Sequence, residues 1–212
     1  GLADGALAIV NLAGENLSGG RVPPARWTPE RKALIRSSRL DAGAAVTEAV
    51  TAATTKPRVV IQSSGIGHYG ARDDKVLTET DPPGDDFLAR LTVEWEASTA
   101  AVADQGVRHV SIRTGVVLSP DEGALKQLLL PFKFYVGGPM GGGRQGFSWI
   151  HPADEVAAIR FLIENERADG PFNLCAPEPL SNAEFARVLG KVLGRPAWLP
   201  APGIALRLAL GE

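Results

Sequence analysis

Residues 57–70 read Pro-Arg-Val-Val-Ile-Gln-Ser-Ser-Gly-Ile-Gly-His-Tyr-Gly, and how that stretch is parsed decides the fold. The run Pro57 to Ile61, closed by Gln62-Ser63-Ser64-Gly65, predicts a short buried strand. The next residues, Gly65-Ile66-Gly67-His68-Tyr69-Gly70, spell Gly-x-Gly-x-x-Gly, with Asp85 and Asp86 about 20 residues on, as a dinucleotide fingerprint asks. That parsing fails immediately after Gly70. The fingerprint works because its last glycine opens a helix whose N-terminal N–H groups meet a pyrophosphate. Here Ala71-Arg72-Asp73-Asp74-Lys75 leads into a charged loop that extends to residue 86 and contains Pro82-Pro83-Gly84, and no strand carries the acidic pair. The glycines are therefore not read as a fingerprint.

Working outward, Ala6 to Leu12 is an apolar run ending at Ala13-Gly14-Glu15-Asn16, the pattern of another buried strand. Thr28 and Pro29 have the chemistry of an N-cap and first helical residue, and the helix they start runs to about Ala53. Phe87 to Ala103 has helical periodicity. Val107 to Val117 predicts a third strand and Ala124 to Phe134 a helix interrupted by Pro131. Gly137 to Gly146 is glycine-rich and irregular. Pro152 to Glu166 predicts a helix and Phe172 to Leu174 a short strand. Ser181 to Leu193 predicts a last helix, with Ser181 and Glu184 at capping-box spacing. Strands alternating with helices of this length imply parallel pairing, hence an α/β fold with a doubly wound parallel sheet.

The composition narrows the function. With 212 residues, 44% hydrophobic, and a formal charge of −2, the chain buries a sizeable core and carries no broad positive field for nucleic acid. No stretch reaches the roughly 18 apolar residues of a membrane span, and the N-terminus lacks a basic secretory start, so the protein reads as cytoplasmic. A single cysteine, Cys175, excludes an internal disulfide and is read as structural. His68, His109 and His151 show no metal-ligand spacing, so no metal is expected. Neither a Gly-x-Ser-x-Gly elbow nor a phosphate-binding Gly-Lys-Ser/Thr loop occurs. Asn16-Leu17-Ser18 fits a glycosylation sequon by chance alone.

Five segments, taken in order and spacing, resemble extended short-chain dehydrogenases/reductases. They are Val10-Asn11-Leu12-Ala13-Gly14; Ser63-Ser64 with Tyr69-Gly70; Arg113-Thr114-Gly115-Val116-Val117-Leu118; Ser148-Trp149-Ile150-His151 with Asp154-Glu155-Val156-Ala157; and Phe172-Asn173-Leu174. Asn11 to Asn16, Trp27-Thr28, Trp95-Glu96 and Gly143-Arg144-Gln145-Gly146-Phe147-Ser148-Trp149-Ile150-His151 are similar to signatures of its epimerase branch, SDR family 39U or the YfcH-like group. The resemblance implies a partial NAD(P)-binding Rossmann fold beginning at the family's fourth strand, N- and C-terminally truncated. Residues 1–118 would be the remaining dinucleotide-binding part. Residues 119–212 would be mainly a small substrate-side lobe, with elements returning to the core. The missing strands would carry the true glycine fingerprint, so weak or absent cofactor binding is expected of the chain alone.

The resemblance also assigns places. Leu12, Ala13 and Gly14 would line the adenine and ribose side of NADP or NAD, with NADP favoured. Ser63 and Ser64 would sit near the nicotinamide, and Arg113 and Thr114 at the end of the following strand. Arg144, Gln145, Trp149 and His151 would face a small-molecule substrate. Plainer readings stand beside these. The serines would satisfy backbone groups in a turn, Arg144 would be a solvated charge, and Trp149 and His151 a buried aromatic and a core histidine. Trp27, Trp95 and Trp198 are read as packing.

The family's catalytic set is where the chain departs. Tyr in Tyr-x-x-x-Lys and a Ser or Thr ordinarily move the proton. Aligned on Trp95-Glu96, Leu88 and Thr92 stand where Tyr and Lys would be, Gly65 replaces the Ser or Thr, and Phe147 replaces a phosphate-binding arginine. Three readings are open. One is an NAD(P)-dependent oxidoreductase or epimerase with a nonstandard proton donor, Tyr69, His68 or His151. Another is a non-catalytic NADP(H)-binding regulatory module, and the third an incomplete product with neither activity. The helix from Phe87 would either pair subunits of a homodimer or turn its apolar face inward.

Overall fold

The computed structural model describes residues 3–20, 25–72, 75–121 and 123–201. In chain order the elements are β1 (Ala8–Asn11), α1 (Pro29–Ala52), β2 (Val59–Ser63), α2 (Phe87–Ala97), β3 (Arg108–Thr114), β4 (Val116–Val117) and α3 (Gly123–Lys133). Then come β5 (Gly146–Phe147), β6 (Trp149–Ile150), α4 (Pro152–Glu164), β7 (Gly170–Leu174), β8 (Leu180–Ser181) and α5 (Asn182–Leu193). Two 3₁₀ turns, Ile66–Tyr69 and Ala100–Gln105, flank α2. The main sheet is parallel throughout, in the order β1-β2-β3-β7. Two two-stranded pairs, β4-β6 parallel and β5-β8 antiparallel, lie beside it.

Alternation along the strands divides the core between the two sheet faces. Val59, Ile61, Val110, Ile112 and Leu174 pack with Ile150 and with Leu162 of α4. Val60 points the other way, joining Val50 of α1, Val102 and Val107. Helices thus cover both faces, as a doubly wound sheet requires.

Local chemistry sets the helix ends. The Thr28 side chain accepts from Arg31 N and Pro29 occupies the first turn of α1. The α5 capping box closes in both directions between Ser181 and Glu184. A Cβ on Gly43 of α1 would lie 1.9 Å from Ser98 Oγ, so only glycine lets α1 approach the end of α2 this closely.

Some expected elements are shorter or divided. The helix expected over Phe87–Ala103 stops at Ala97. Thr99 turns inward instead, its hydroxyl donating to Gln62 Oε1 (3.2 Å) and lying 2.9 Å from His109 Nε2. Asn11 Nδ2 completes this buried string by donating to the same Gln62 oxygen at 2.9 Å. The strand expected over Val107–Val117 breaks at Gly115, whose backbone runs so close to the Ser148–Trp149 peptide that a Cβ would sit 3.1 Å from Ser148 O. Beyond the break, Val116 N donates to Ser148 O and the chain changes sheets. The strand expected to close at Gln62 extends through Ser63, and α4 ends at Glu164 with Asn165 as its C-cap. The short strands β5, β6 and β8 were not expected.

The glycine motif forms a 3₁₀ turn, not a helix start. Gly70 (φ 66°) caps it and lies against Gly84, where a Cβ would fall 2.7 Å from the Gly70 Cα. The glycines serve close packing of the 65–70 turn against the 82–86 loop. Asp73 and Asp74, in the charged segment after Gly70, and residues 202–212 of the expected lobe lie outside the described residues.

β7 forms one edge of the sheet, and its outward side is closed to further pairing. Pro171 has no N–H, and the N–H of Asn173 donates to Glu79 Oε1 at 2.8 Å. Among the described residues no helix is long and apolar enough to cross a membrane.

Candidate functional site

The carboxyl ends of β1, β2, β3 and β7 gather most of the residues singled out from the sequence, where open α/β sheets place their ligands. At the end of β1, Leu12, Ala13 and Gly14 are exposed, Leu12 at 60%. Asn11 Oδ1 accepts from Ala13 N (3.2 Å), and the loop rests on α1. Ser38 Oγ takes Glu15 N, and Arg39 donates to Glu15 O and Ile35 O at 3.1 and 3.0 Å. A Cβ on Gly14 would sit 2.9 Å from Arg39 Cζ. Arg39 is buried above the Trp95 ring, 4.7 Å from its centroid, and burial lowers its pKa against the opposing charge of Glu15.

Ser63 and Ser64 end β2 with opposite outcomes. Ser64 is buried and donates to Glu96 Oε1 at 2.6 Å. Ser63 points to the α4 face, partly exposed, and its hydroxyl has no hydrogen bond to a described residue.

Arg113 and Thr114 divide in the same way. Arg113, 5% exposed, turns to the α2 face and clasps both Glu96 oxygens, Nε to Oε1 at 2.9 Å and Nη2 to Oε2 at 3.0 Å. Its Nη1 donates to Tyr69 Oη (3.0 Å) and Glu79 O (3.1 Å). Tyr69 Oη in turn donates to Asn173 Oδ1 at 2.6 Å. Tyr69 is 3% exposed, so its phenol is committed inside this network. His68 is buried beside it, Nδ1 3.6 Å from Glu96 Oε1.

The electrostatics follow from these contacts. Burial works against the Glu96 carboxylate, but hydrogen bonds from Arg113 and Ser64, with Arg113's charge, outweigh it and hold the carboxyl below its usual range. The Arg113 guanidinium likewise ends above its ordinary value despite burial, because Glu96 and Tyr69 favour its charged form. Burial, reinforced by Arg113 and opposed by Glu96, pushes His68 down.

Thr114 faces α4. Its hydroxyl donates to Glu155 Oε1 at 2.9 Å, while Glu155 Oε2 is buried without a partner. Burial pushes the Glu155 carboxyl up, and the Thr114 bond only partly opposes it. Cys175, one residue beyond β7, borders the same region, and burial raises its thiol against a hydrogen bond with Ser148.

The substrate-side candidates are more dispersed. Arg144 and Gln145 are exposed, with Gln145 Nε2 donating to Met140 O. Trp149 is partly buried and its Nε1 lacks a partner. His151 is exposed and caps α4, its Nδ1 accepting from Ala153 N at 3.1 Å. On α2, Leu88 closes onto Gly67, whose Cβ would lie 3.3 Å from Leu88 Cβ, and Thr92 Oγ1 donates to Ala89 O. The apolar face of α2, with Ala89, Leu91 and Trp95, is buried within the chain. Glu79, Asn173 and Glu155 received no separate role from the sequence, because their partners lie far away along the chain. The signal that locates Glu155 is its place in the first turn of α4, opposite the outward end of β3.

A parallel sheet covered on both faces, with exposed loops and polar side chains converging at its carboxyl ends, defines a dinucleotide-type α/β protein of the short-chain dehydrogenase/reductase class. No family profile matches the chain. Comparison with curated proteins is more specific: the chain is 40% identical over 210 residues to the chloroplastic SDR39U1 homolog of Arabidopsis thaliana, covering 98% of this chain and 58% of that protein. It is 37% identical over 206 residues to SDR39U1 of Mus musculus, covering 96% of this chain and 69% of the relative. Among solved structures, human SDR39U1 (isoform 2), crystallised with NADPH, superposes with a TM-score of 0.91 at 35% identity, covering 98% of this chain and 69% of that one. The chain belongs to the SDR39U1 epimerase family. It spans between 58% and 69% of the length of these relatives.

Proposed function

We propose that the chain contributes the nicotinamide and substrate side of an NAD(P)-dependent oxidoreductase or epimerase acting on a small molecule, with NADP favoured over NAD. The observation that carries this reading is the set of ligand-ready groups at the carboxyl ends of β1 and β2. Exposed Leu12-Ala13-Gly14 and the unengaged Ser63 hydroxyl stand on a backbone that superposes at a TM-score of 0.91 on a relative crystallised with NADPH.

The residues present fit the cofactor. Leu12 offers exposed apolar surface for the adenine and ribose side, and the exposed Ala13-Gly14 backbone follows it, with Gly14 packed closely against Arg39. Ser63 supplies a hydroxyl at the nicotinamide end. Thr114 closes the site from β3, while Arg144, Gln145, Trp149 and His151 border the substrate. The cofactor would supply or accept hydride; the chain's residues would orient it, exclude water and handle the proton. Arg113 and Tyr69 act behind the site, fixing the 65–70 turn and the end of β7 through Glu96, Glu79 and Asn173.

Leu88, Thr92 and Gly65 at the family's catalytic positions favour a second reading, an NADP(H)-binding module without chemistry. Titration of NADPH and NADH fluorescence against the chain, and against a version carrying the preceding strands of its relatives, tests the cofactor assignment. Saturable binding that strengthens with those strands supports it; no binding by either removes it. Turnover of small carbonyl or sugar-like compounds by the binding form then separates enzyme from module.

A further inference from the structure

If the site binds a nicotinamide as proposed above, it still needs groups to move a proton, and those at Leu88, Thr92 and Gly65 do not supply one. The three residues named for that task from the sequence are engaged elsewhere: Tyr69 Oη lies between Arg113 and Asn173, His68 is buried with Nδ1 3.6 Å from Glu96 Oε1, and His151 Nδ1 caps α4. On the α4 face a different pair stands at the carboxyl end of β3. Thr114 Oγ1 donates to Glu155 Oε1 at 2.9 Å, and Glu155 Oε2 is buried with no partner.

We propose that Thr114 and Glu155 are the proton-handling pair of this site, with Thr114 contacting the substrate oxygen and Glu155 acting through it as the positioning residue and proton reservoir. The register supports the placement. Ser63 pairs with Ile112, and Thr114 lies two residues beyond Ile112 on the same face, so the unengaged Ser63 hydroxyl and Thr114 look onto one volume. No cation among the described residues pairs with Glu155. The titratable group from the neighbouring strand is the Cys175 thiol, which also feels Glu79, and it brings no positive charge. An ionised Glu155 would keep one oxygen desolvated and unpaired, whereas the protonated acid holds a proton ready for Thr114.

In the reducing direction the carbonyl carbon of a small aldehyde or ketone receives a hydride from a reduced nicotinamide. The Thr114 hydroxyl, which points at Glu155 Oε1 in the resting site, turns to the substrate, so its proton goes to the oxygen as the C=O bond becomes C–O, and Thr114 Oγ1 accepts the proton of protonated Glu155 in its place. The resulting carboxylate is reprotonated from solvent. Oxidation of a secondary alcohol is the same sequence reversed.

The test begins with an NMR titration of the chain labelled at glutamate Cδ, the Glu155 signal being assigned by its loss in Glu155→Gln. Glu155 should titrate above the exposed glutamates, and Thr114→Val should move it up by about half a pH unit or more, since the hydroxyl opposes the burial effect. A Glu155 midpoint in the ordinary range, or one unmoved in Thr114→Val, overturns the pairing. The second arm is NADPH-dependent reduction of a panel of small aldehydes and ketones. Glu155→Gln should lower kcat about 100-fold or more, leave the NADPH Kd unchanged, and abolish the fall in kcat as pH rises through the Glu155 midpoint. NADPH binding with no turnover by the wild-type chain, or turnover indifferent to Glu155→Gln, overturns the pair's role and leaves the cofactor reading intact. Absence of NADPH binding both by the chain and by the version carrying the preceding strands of its relatives defeats the cofactor reading itself.

Discussion

Glu96 and Glu155 occupy the two faces of one sheet at its carboxyl ends, and their surroundings push them in opposite directions. Glu96 is clasped by Arg113, capped by Ser64 and faced by His68; its carboxyl is held low. Glu155 has a single hydroxyl on one oxygen and nothing on the other; its carboxyl is pushed up. A fully paired carboxylate fixes structure, because moving it breaks several bonds at once. A half-paired carboxyl retains a proton and an unused lone pair, and where two such groups diverge the incompletely satisfied one is the better place to seek chemistry.

The largest effect should come from Glu96→Ala, which strands Arg113 as a buried charge. It should cost about 3–5 kcal/mol in denaturant unfolding, whereas Glu155→Leu should cost far less. Comparable losses at the two positions would break the contrast.

Acid should separate the faces next. His68 and His109 have pKa values lowered chiefly by burial, so the unfolded chain binds their protons first, and stability should fall as pH drops below about 6.5. Glu96 adds to that loss as pH falls further through its lowered folded value. Glu155 works oppositely, since its folded pKa is raised. Its contribution declines as pH rises from the unfolded carboxylate value through the folded one, so Glu155→Leu should compare more favourably with wild type at pH 7 than at pH 4. Thermal unfolding across this range checks both signs. A Glu155→Leu penalty independent of pH would remove Glu155 from the comparison.

The smallest test uses adjacent serines. Ser64→Ala removes the donor to Glu96 and should cost about 1 kcal/mol; Ser63→Ala should stay within about 0.5 kcal/mol. If Ser63 serves the ligand, its replacement should weaken NADPH binding while leaving unfolding unchanged. Equal stability costs would show that both serines are structural.

Much of the fold was readable because it is written locally. Thr28-Pro29 and Ser181 with Glu184 announced two helix starts through groups three residues apart or fewer, and the strand patterns located all four strands of the main sheet to within a few residues. Gly65 to Gly70 was correctly refused as a fingerprint because no helix begins there. The division at Gly115 was illegible, since it depends on Ser148 coming close from a distant part of the chain. The same holds for the site. Glu96 meets Arg113 across 17 residues and Thr114 meets Glu155 across 41. Nothing local shows which of Arg113 and Thr114 faces which helix, and strand alternation puts the two on opposite sides once that choice is made. Arg113 therefore read as a ligand contact, although its guanidinium is spent on Glu96, Tyr69 and Glu79.

The outward side of β7 carries a consequence for the chain in concentrated solution. A sheet edge with free, regularly spaced donors can recruit a strand from another molecule and so seed fibrils. At β7 one donor is deleted by Pro171 and the next is occupied by Glu79, so an incoming strand would meet a gap and then a carboxylate. The side chain that ties down the 75–81 segment therefore also serves as a gatekeeper against self-association along that edge, and aggregation rate is a property on which Glu79→Ala should register.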